Sequence, residues 1–488
     1  MRVHHIYSLF LVLGLLCSCG SGDIENIGSV PPVQPDYVGV TVPQNIAPLH
    51  FRLDPEAGYS APKAQFEAGD VCYTIRQRHG YFGLSLSKWK KLAAAASGSG
   101  IKVTVQAKIN GKRMEFLPFT IYVSPDRIDP YIAYRLIEPG YEIWNAMGIY
   151  QRCLENFDES PVITNNQTDH GCVNCHSFND YDPDNMLFHA RVSYGGTYLV
   201  RDGNIEKLNT KTPDTISALV YPQWSRDGRF IAFSVNDTKQ MFHTSDLNRI
   251  EVFDYKSDII VYDVEKHEVF SCPQLKAAGQ FETFPTFTPD GRGIYFCTAD
   301  SLSMPENFEK VRYSLCRIGF DPDTRSFSEQ VDTLVNARET YSSVSFPRVS
   351  PDGRFLMFTM AAYGNFSIWH NDADLYLYDL DRNSYCRLDS LNSDYVDSYH
   401  SWSSNGKWVI FSSRRLDGLY TRLFIAHMDE DGTVGKTFVL PQKSPSFYDS
   451  FMKSYNIPEF IDGKVRLDQR DLHKVAKDSP GTDIKYAE

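Results

Sequence analysis

The sequence is most informative first for what it lacks. It has no G-x-S-x-G, which argues against a serine hydrolase built on a strand-to-helix nucleophile elbow. It has no phosphate-cradling Walker loop either. Basic charge is in deficit, with 49 Lys and Arg against 61 Asp and Glu and a net charge of −12. No basic stripe is therefore available to neutralise phosphates, and a nucleic-acid partner is not expected. No apolar run approaches the roughly 20 residues that a spanning helix requires. The ten cysteines form no regular ladder of close pairs. One of the few close spacings, Cys172 and Cys175, has no second ligand pair at zinc spacing to complement it.

What is present is repetition. FPRVSPDGRFLMFT at Phe346–Thr359 aligns without a gap with YPQWSRDGRFIAFS at Tyr221–Ser234. It aligns equally with FPTFTPDGRGIYFC at Phe284–Cys297 and YHSWSSNGKWVIFS at Tyr399–Ser412. Each copy runs from an aromatic residue through Pro or His to Ser or Thr. Asp-Gly or Asn-Gly then leads into an apolar strand. Asp-Gly and Asn-Gly accept the positive φ angles of two-residue hairpin turns, so each copy is expected to be a β-hairpin. A second strand pair follows each copy, as in Asp258–Asp263, Ser314–Ile318, Asp374–Asp379 and Arg422–Ala426. Four-stranded repeats of this kind indicate a β-propeller.

The repeat resembles that of TolB-like (WD40-like) propellers. The resemblance covers about residues 180 to 440 and implies six blades, with five or seven as alternatives. A weaker first blade is expected around Met186–Leu208, and the sixth from residues 126–165, the C-terminal arm, or both ends closing as a clasp. The fold implies no single function, because propellers host binding, scaffolding and catalysis alike.

From its start, the chain divides further. Arg2, His4 and His5 precede an apolar core at Leu9–Leu16, the pattern of an export signal. Leu16-Cys17-Ser18-Cys19 resembles a bacterial lipobox, which implies a signal peptide over residues 1–19 and lipidation of Cys19. The expected location is therefore the envelope, facing the periplasm or the cell surface. Residues 20–44 are Pro-rich and read as a tether. Residues 45–125 alternate as strands at Val71–Ile75, Ile101–Ala107 and Phe119–Val123, with a helix at Ser87–Ser97, and predict a small β-sandwich-like domain. Residues 126–180 read as an ordered wrapping segment, 181–440 as the propeller, and 441–488 as an aromatic-rich arm with a charged surface tail.

One motif carries chemistry. Cys172-Val173-Asn174-Cys175-His176 is C-x-x-C-H. Two thiols can add to the vinyl groups of haem while the adjacent imidazole ligates iron. The motif resembles the c-type cytochrome attachment site, which implies haem c on Cys172 and Cys175 with His176 as proximal ligand. Met186 and His189 are candidates for the opposite axial position, with His170 a further one. On a regular strand Met186 and His189 face opposite ways, so at most one could reach a common iron. A disulfide between Cys172 and Cys175, or half of a zinc site, is the alternative.

Four smaller features complete the inventory. Arg414 and Arg415 could attract an acidic ligand at the channel mouth, or form inter-blade ion pairs. Asp254, Asp258 and Asp263 could hold Ca²⁺ but lack EF-hand spacing, and are expected to be solvated turn carboxylates. Cys297 and Cys316 are expected in buried strands. Cys72 and Cys153 could pair. Two function classes follow: an envelope-anchored scaffold binding a protein or glycan, and a redox protein transferring electrons through one haem.

Overall fold

The structure, a computed structural model, describes residues 24–54, 56, 58–138 and 146–487. The expected signal segment and the expected lipidation site Cys19 lie outside the described residues. The chain is mainly β and forms a six-bladed propeller. Among the described residues no helix is long and apolar enough to cross a membrane.

Blade 1 runs outward through Cys172–Phe178, Asn185–Arg191, Gly196–Arg201 and Asn204–Asn209. Blade 2 starts at Val220–Trp224, blade 3 at Gln280–Phe287, blade 4 at Ser343–Val349 and blade 5 at Asp397–Trp402. Blade 6 takes its inner strand, Ser454–Ile461, from near the C-terminus and its other three, Tyr131–Ile137, Gly148–Cys153 and Glu159–Thr164, from well upstream. Tyr131 pairs with Ile461, so the two ends close the ring as a clasp. The six inner strands contact one another in a closed circle.

The repeated Ser/Thr-x-Asp/Asn-Gly now has a mechanical account. In blade 2 the Ser225 hydroxyl donates to Asp227 Oδ1 at 2.6 Å, and the Arg229 N–H donates to the same oxygen at 3.1 Å. The Phe230 N–H donates to Ser225 Oγ at 2.9 Å. Blades 4 and 5 repeat this with Ser350 and Asp352, and with Ser403 and Asn405. The connection differs from the expected two-residue turn. Ser225 pairs with Phe230, which leaves four residues in the loop, and among them only Gly228 takes a positive φ, +72°. The Asp is held there as a hydrogen-bond acceptor, not for left-handed backbone.

Two segments are more ordered than the sequence reading expects, and a third takes the blade-forming one of its two expected roles. Residues 24–44 are not a free tether: Tyr37, Val40 and Val42 are buried and Thr41–Pro43 pairs with Tyr122–Ser124. The alternation of apolar residues in DYVGVTV outweighs the flanking prolines. Residues 126–180 supply blade strands instead of wrapping the propeller. The terminal tail docks as well. Helix Gln469–Asp478 buries Leu472 and Ala476, and Thr482–Asp483 and Lys485–Tyr486 add parallel strands to the outer edges of blades 1 and 2. Those additions cover edges that would otherwise expose unpaired backbone groups.

The N-terminal domain holds a branched seven-stranded sheet, helix Leu86–Ala95 and a separate two-stranded pair of Val33–Gln34 with Arg52–Leu53. Its long strand Ser99–Ile109 is paired along one side by Ser60–Ala68, and on the other by Phe119–Ser124 and then Lys112–Glu115. The domain shares one apolar core with blade 5, where Val42 and Trp89 belong to the same cluster as Trp408 and Phe424. At the junction Asp126 accepts from His427 Nε2 at 2.9 Å, and Asp129 accepts from the Ser404 N–H at 2.8 Å.

Candidate functional site

Every inner strand breaks register once, and at the break one residue adopts left-handed backbone. These six are Cys175, Tyr221, Phe284, Phe346, Tyr399 and Ile457, with φ between +48° and +54°. Such angles are uncommon for residues with a Cβ, so sixfold recurrence marks a built feature of the channel wall. Four of the six are aromatic and touch in sequence: Tyr221 to Phe284 at 5.0 Å between ring centroids, Phe284 to Phe346 at 5.8 Å and Phe346 to Tyr399 at 4.6 Å. Together they plug the channel, and Cys175 is the smallest member.

The next residue is Pro222, Pro285, Pro347 or Pro458 in four blades, and His176 or His400 in the other two. Proline lacks the N–H that a bulge leaves without a ladder partner. The histidine of C-x-x-C-H therefore occupies a position of the propeller repeat. Written beneath the four obvious copies, CHSF at Cys175–Phe178 is a fifth and IPEF at Ile457–Phe460 a sixth.

The following position, which the repeat pattern leaves unspecified, is polar in all six blades: Ser177, Gln223, Thr286, Arg348, Ser401 and Glu459. All six line a cavity of about 160 Å³ on the face of the hairpin turns. Among the residues one place further on, Trp224 and Trp402 also line it, held by indole N–H bonds to the carbonyls of Ser177 (3.4 Å) and Arg348 (3.0 Å). Over the mouth, Arg226 pairs with Asp180 at 3.3 Å and donates to the Pro351 carbonyl at 3.4 Å.

Burial sets the electrostatics. It pushes the Glu459 carboxyl up to about 8, with Arg348 opposing the rise. It pulls Arg348 down to about 10, with Glu459 opposing, and the guanidinium lies 3.9 Å from the Phe346 ring centroid. Burial, then Arg135, pulls the His176 imidazole down to about 3. His176 Nε2 lies 3.9 Å from Glu459 Oε2. Neither ring nitrogen of His176, nor that carboxylate oxygen, has a well-formed hydrogen bond. At neutral pH the cavity wall thus holds the Arg348 cation, a largely protonated Glu459 and the neutral imidazole of His400, with the Arg226–Asp180 pair at the mouth.

The other expected site residues are not gathered here. Cys172 and Cys175 are buried, and all eight described cysteines, Cys72 and Cys153 included, are free thiols without a disulfide. Met186 and His189 lie on the second strand of blade 1. Met186 packs into an apolar cluster with Val173 and Phe188, and His189 Nδ1 bonds the Thr197 hydroxyl at 3.1 Å. His170 is exposed. Among the described residues no group of three or more His, Cys, Asp or Glu side chains is placed to hold a metal. As packed, the motif does not fit a haem. It lies on an extended inner strand, both thiols are enclosed, and the cavity reaches Ser177 and Phe178 but neither cysteine.

Arg415 pairs with Asp397 at 2.5 Å, whereas Arg414 has no such partner. Asp254 is not solvated: Asn236, Thr238 and Asn365 donate to it at 2.8–2.9 Å, and burial raises it to about 6. Asp263 is buried and pairs with Arg325 at 3.4 Å. Asp258 adjoins Glu282, which burial and then Asp258 push up to about 8.

No family model matches the chain, and no curated protein does. Solved structures with some likeness include one from a study of two prolyl endopeptidases, at 12% identity and a TM-score of 0.33, covering 64% of this chain and 42% of that one. A candidate dipeptidyl aminopeptidase IV from Bacteroides ovatus has 10% identity and a TM-score of 0.25, with 65% and 60% covered. An ancestral GH74 enzyme has 10% identity and a TM-score of 0.20, with 83% and 76% covered. The chain thus spans less than two thirds of the first two structures it resembles.

Proposed function

We propose that this chain is a TolB-like binding propeller, held at an envelope membrane by lipid on Cys19, that takes the tip of a glycan in the six-blade cavity. The observation that carries the reading is the ring of six polar residues, one per blade, backed by two fixed indoles. Indole faces suit the C–H faces of a sugar. A protonated Glu459 both donates and accepts, as do the hydroxyls of Ser177, Thr286 and Ser401, which is what a neutral hydroxyl-rich ligand needs. The volume is below the roughly 300 Å³ of the smallest drug-sized pockets, so an end group enters and the rest stays outside.

The test is titration calorimetry of a soluble chain lacking residues 1–19 against fragments of envelope polysaccharides. Binding that weakens at least tenfold in both Glu459→Gln and Trp402→Ala supports the reading. Binding indifferent to both substitutions, or no binding across the panel, sinks it and leaves a protein partner as the scaffold's ligand. Mass spectrometry of the mature N-terminus, beside Cys19→Ser, tests the anchor.

Haem c with electron transfer is the second reading for Cys172, Cys175 and His176. The feature in its favour is the imidazole of His176, which lacks a firm hydrogen bond. Attachment would require the inner strand of blade 1 to open. A pyridine haemochrome of protein made with c-type maturation machinery decides it: retained haem establishes this reading, and a colourless folded protein retires it.

A further inference from the structure

On the face opposite the hairpin turns, the connections between second and third strands build a different cavity, of about 380 Å³. Blade 2 contributes most. Its strands Phe230–Phe242 and Ile250–Asp263 extend far beyond the other blades, and the hairpin tip they carry reaches across to blades 4, 5 and 6. The hairpin is pinned in place. The Asn371 N–H donates to Asn248 Oδ1 at 2.8 Å, and the Tyr363 hydroxyl donates to Glu251 at 2.7 Å.

Arg414 forms part of this cavity's wall. Its side chain is about nine-tenths buried, its guanidinium lies 5.1 Å from the Trp369 ring centroid, and its Nε has no hydrogen-bond partner. Among the described residues no carboxylate lies within ion-pair distance of it. Of the nearby described carboxylates, Asp417 acts on it only through space and is engaged by Arg422 at 3.3 Å, and Glu138 pairs with Lys453 at 3.8 Å. Arg249 and His243, from the hairpin, add two further basic groups to the lining. A buried guanidinium with no described carboxylate in direct contact is costly, and such a cost is retained where a ligand supplies the contacting charge. The rim also carries exposed apolar side chains, Phe242, Leu247 and Leu419 at 54%, 77% and 52% exposed, together with the polar Thr421, Ser454 and Asn456. The volume falls within the range of roughly 300–1,000 Å³ that holds a whole small molecule.

We propose that this cavity is a second binding site, for a small organic carboxylate with an aromatic body. The carboxylate pairs with Arg414, and the ring lies against Trp369 and the hairpin's apolar side chains. The site is separate from the six-blade cavity, and its fate does not depend on the glycan reading.

Indole-3-acetate is the probe, with indole-3-acetamide as its neutral counterpart, titrated by calorimetry into the chain lacking residues 1–19. The acid is expected to bind at least tenfold more tightly than the amide and to weaken as salt is raised. Arg414→Gln should abolish that preference, while Arg348→Gln in the other cavity leaves it unchanged. Arg414→Gln should also melt no lower than the parent, because it removes an unpaired buried charge. Equal binding of acid and amide, an acid preference that survives Arg414→Gln, or no binding at millimolar probe overturns the proposal. A drop of several degrees in melting temperature for Arg414→Gln assigns the residue a structural role and overturns it as well. Should that variant fail to fold, the acid-to-amide ratio in the parent chain and in Arg249→Gln decides the matter.

Discussion

Nε2 of His176 lies 3.9 Å from Oε2 of Glu459, across the seam where the first inner strand of the ring meets the last. The two groups come from strands nearly 300 residues apart in sequence, yet they stand on adjoining positions of one repeat. Glu459 also faces Ser177 and Arg348, and burial outweighs Arg348, the Phe178 backbone and the Ser177 hydroxyl in setting its proton affinity.

The first prediction follows from that burial. The Glu459 carboxyl is raised from 4.5 to about 8 in the folded chain. Below pH 4.5 it is protonated in both states and has no effect on stability. Between 4.5 and 8 the unfolded chain gives up the proton while the folded one keeps it, so the native state loses stability as pH rises. Urea unfolding of the parent and Glu459→Gln is expected to diverge by about 2–5 kcal/mol from pH 5 to pH 8, with Gln the more stable at pH 8. A gap that stays constant with pH would contradict the assignment.

Four blades place proline where blade 1 has His176. His176→Pro is therefore expected to fold with unchanged far-UV circular dichroism and a melting temperature within a few degrees of the parent. At an ordinary position inside a strand ladder, the same change would remove a hydrogen bond and cost several kcal/mol. Collapse of the variant would mean that the imidazole carries a structural load that proline's does not.

Thiol accessibility provides a third test. Cys72 and Cys386 are exposed, whereas Cys172 and Cys175 are enclosed. A colorimetric thiol reagent should label Cys72 and Cys386 rapidly under native conditions, and Cys172 and Cys175 only after denaturation. Peptide mapping that finds Cys172 and Cys175 oxidised to each other would instead restore the disulfide.

The clasp makes a fourth prediction. Tyr455 is fully buried, with its ring 4.9 Å from that of Tyr134 in the neighbouring strand of blade 6. Tyr455→Ala should cost about 3–5 kcal/mol, the range for emptying an aromatic site in a core. A chain ending at residue 453 should lose cooperative unfolding altogether. Two-state melting of that truncation would show that five blades suffice.

The hairpins were legible because Asp-Gly and the residues around it are fixed by local hydrogen bonds that recur with each copy. The fifth and sixth copies were hidden for physical reasons. Blade 1 has a small thiol where four other blades have a ring, and an Asp- and Asn-rich segment (Asn179–Asn185) in place of the Asp-Gly turn. In blade 6 the inner strand is not followed in sequence by its own second strand, so IPEF has no hairpin beneath it to announce it. The C-x-x-C-H pattern points to haem because its two cysteines and its histidine are the three residues that chemistry needs, and its neighbours carry no visible repeat. The two ionisable residues among the six cavity-lining positions, Arg348 and Glu459, sit at the one place that the repeat pattern leaves unspecified. The pairing of Arg415 with Asp397, and the lack of a pair for Arg414, depends on contacts between distant loops that no local pattern encodes.

The clasp also fixes an order of events for a chain that emerges N-terminus first. Three strands of blade 6 are complete by residue 164, but the strand that makes them a wall of the channel arrives only with residues 454–461. Until then the nascent protein is an open crescent, with blade 1 and blade 5 facing each other across a gap and the plug of aromatic rings unsupported on one side. Local hairpins can form as they are made, while the most non-local pairing must wait for nearly the whole sequence. The closed channel, and with it the cavity lined by all six blades, therefore comes into being in a single late step.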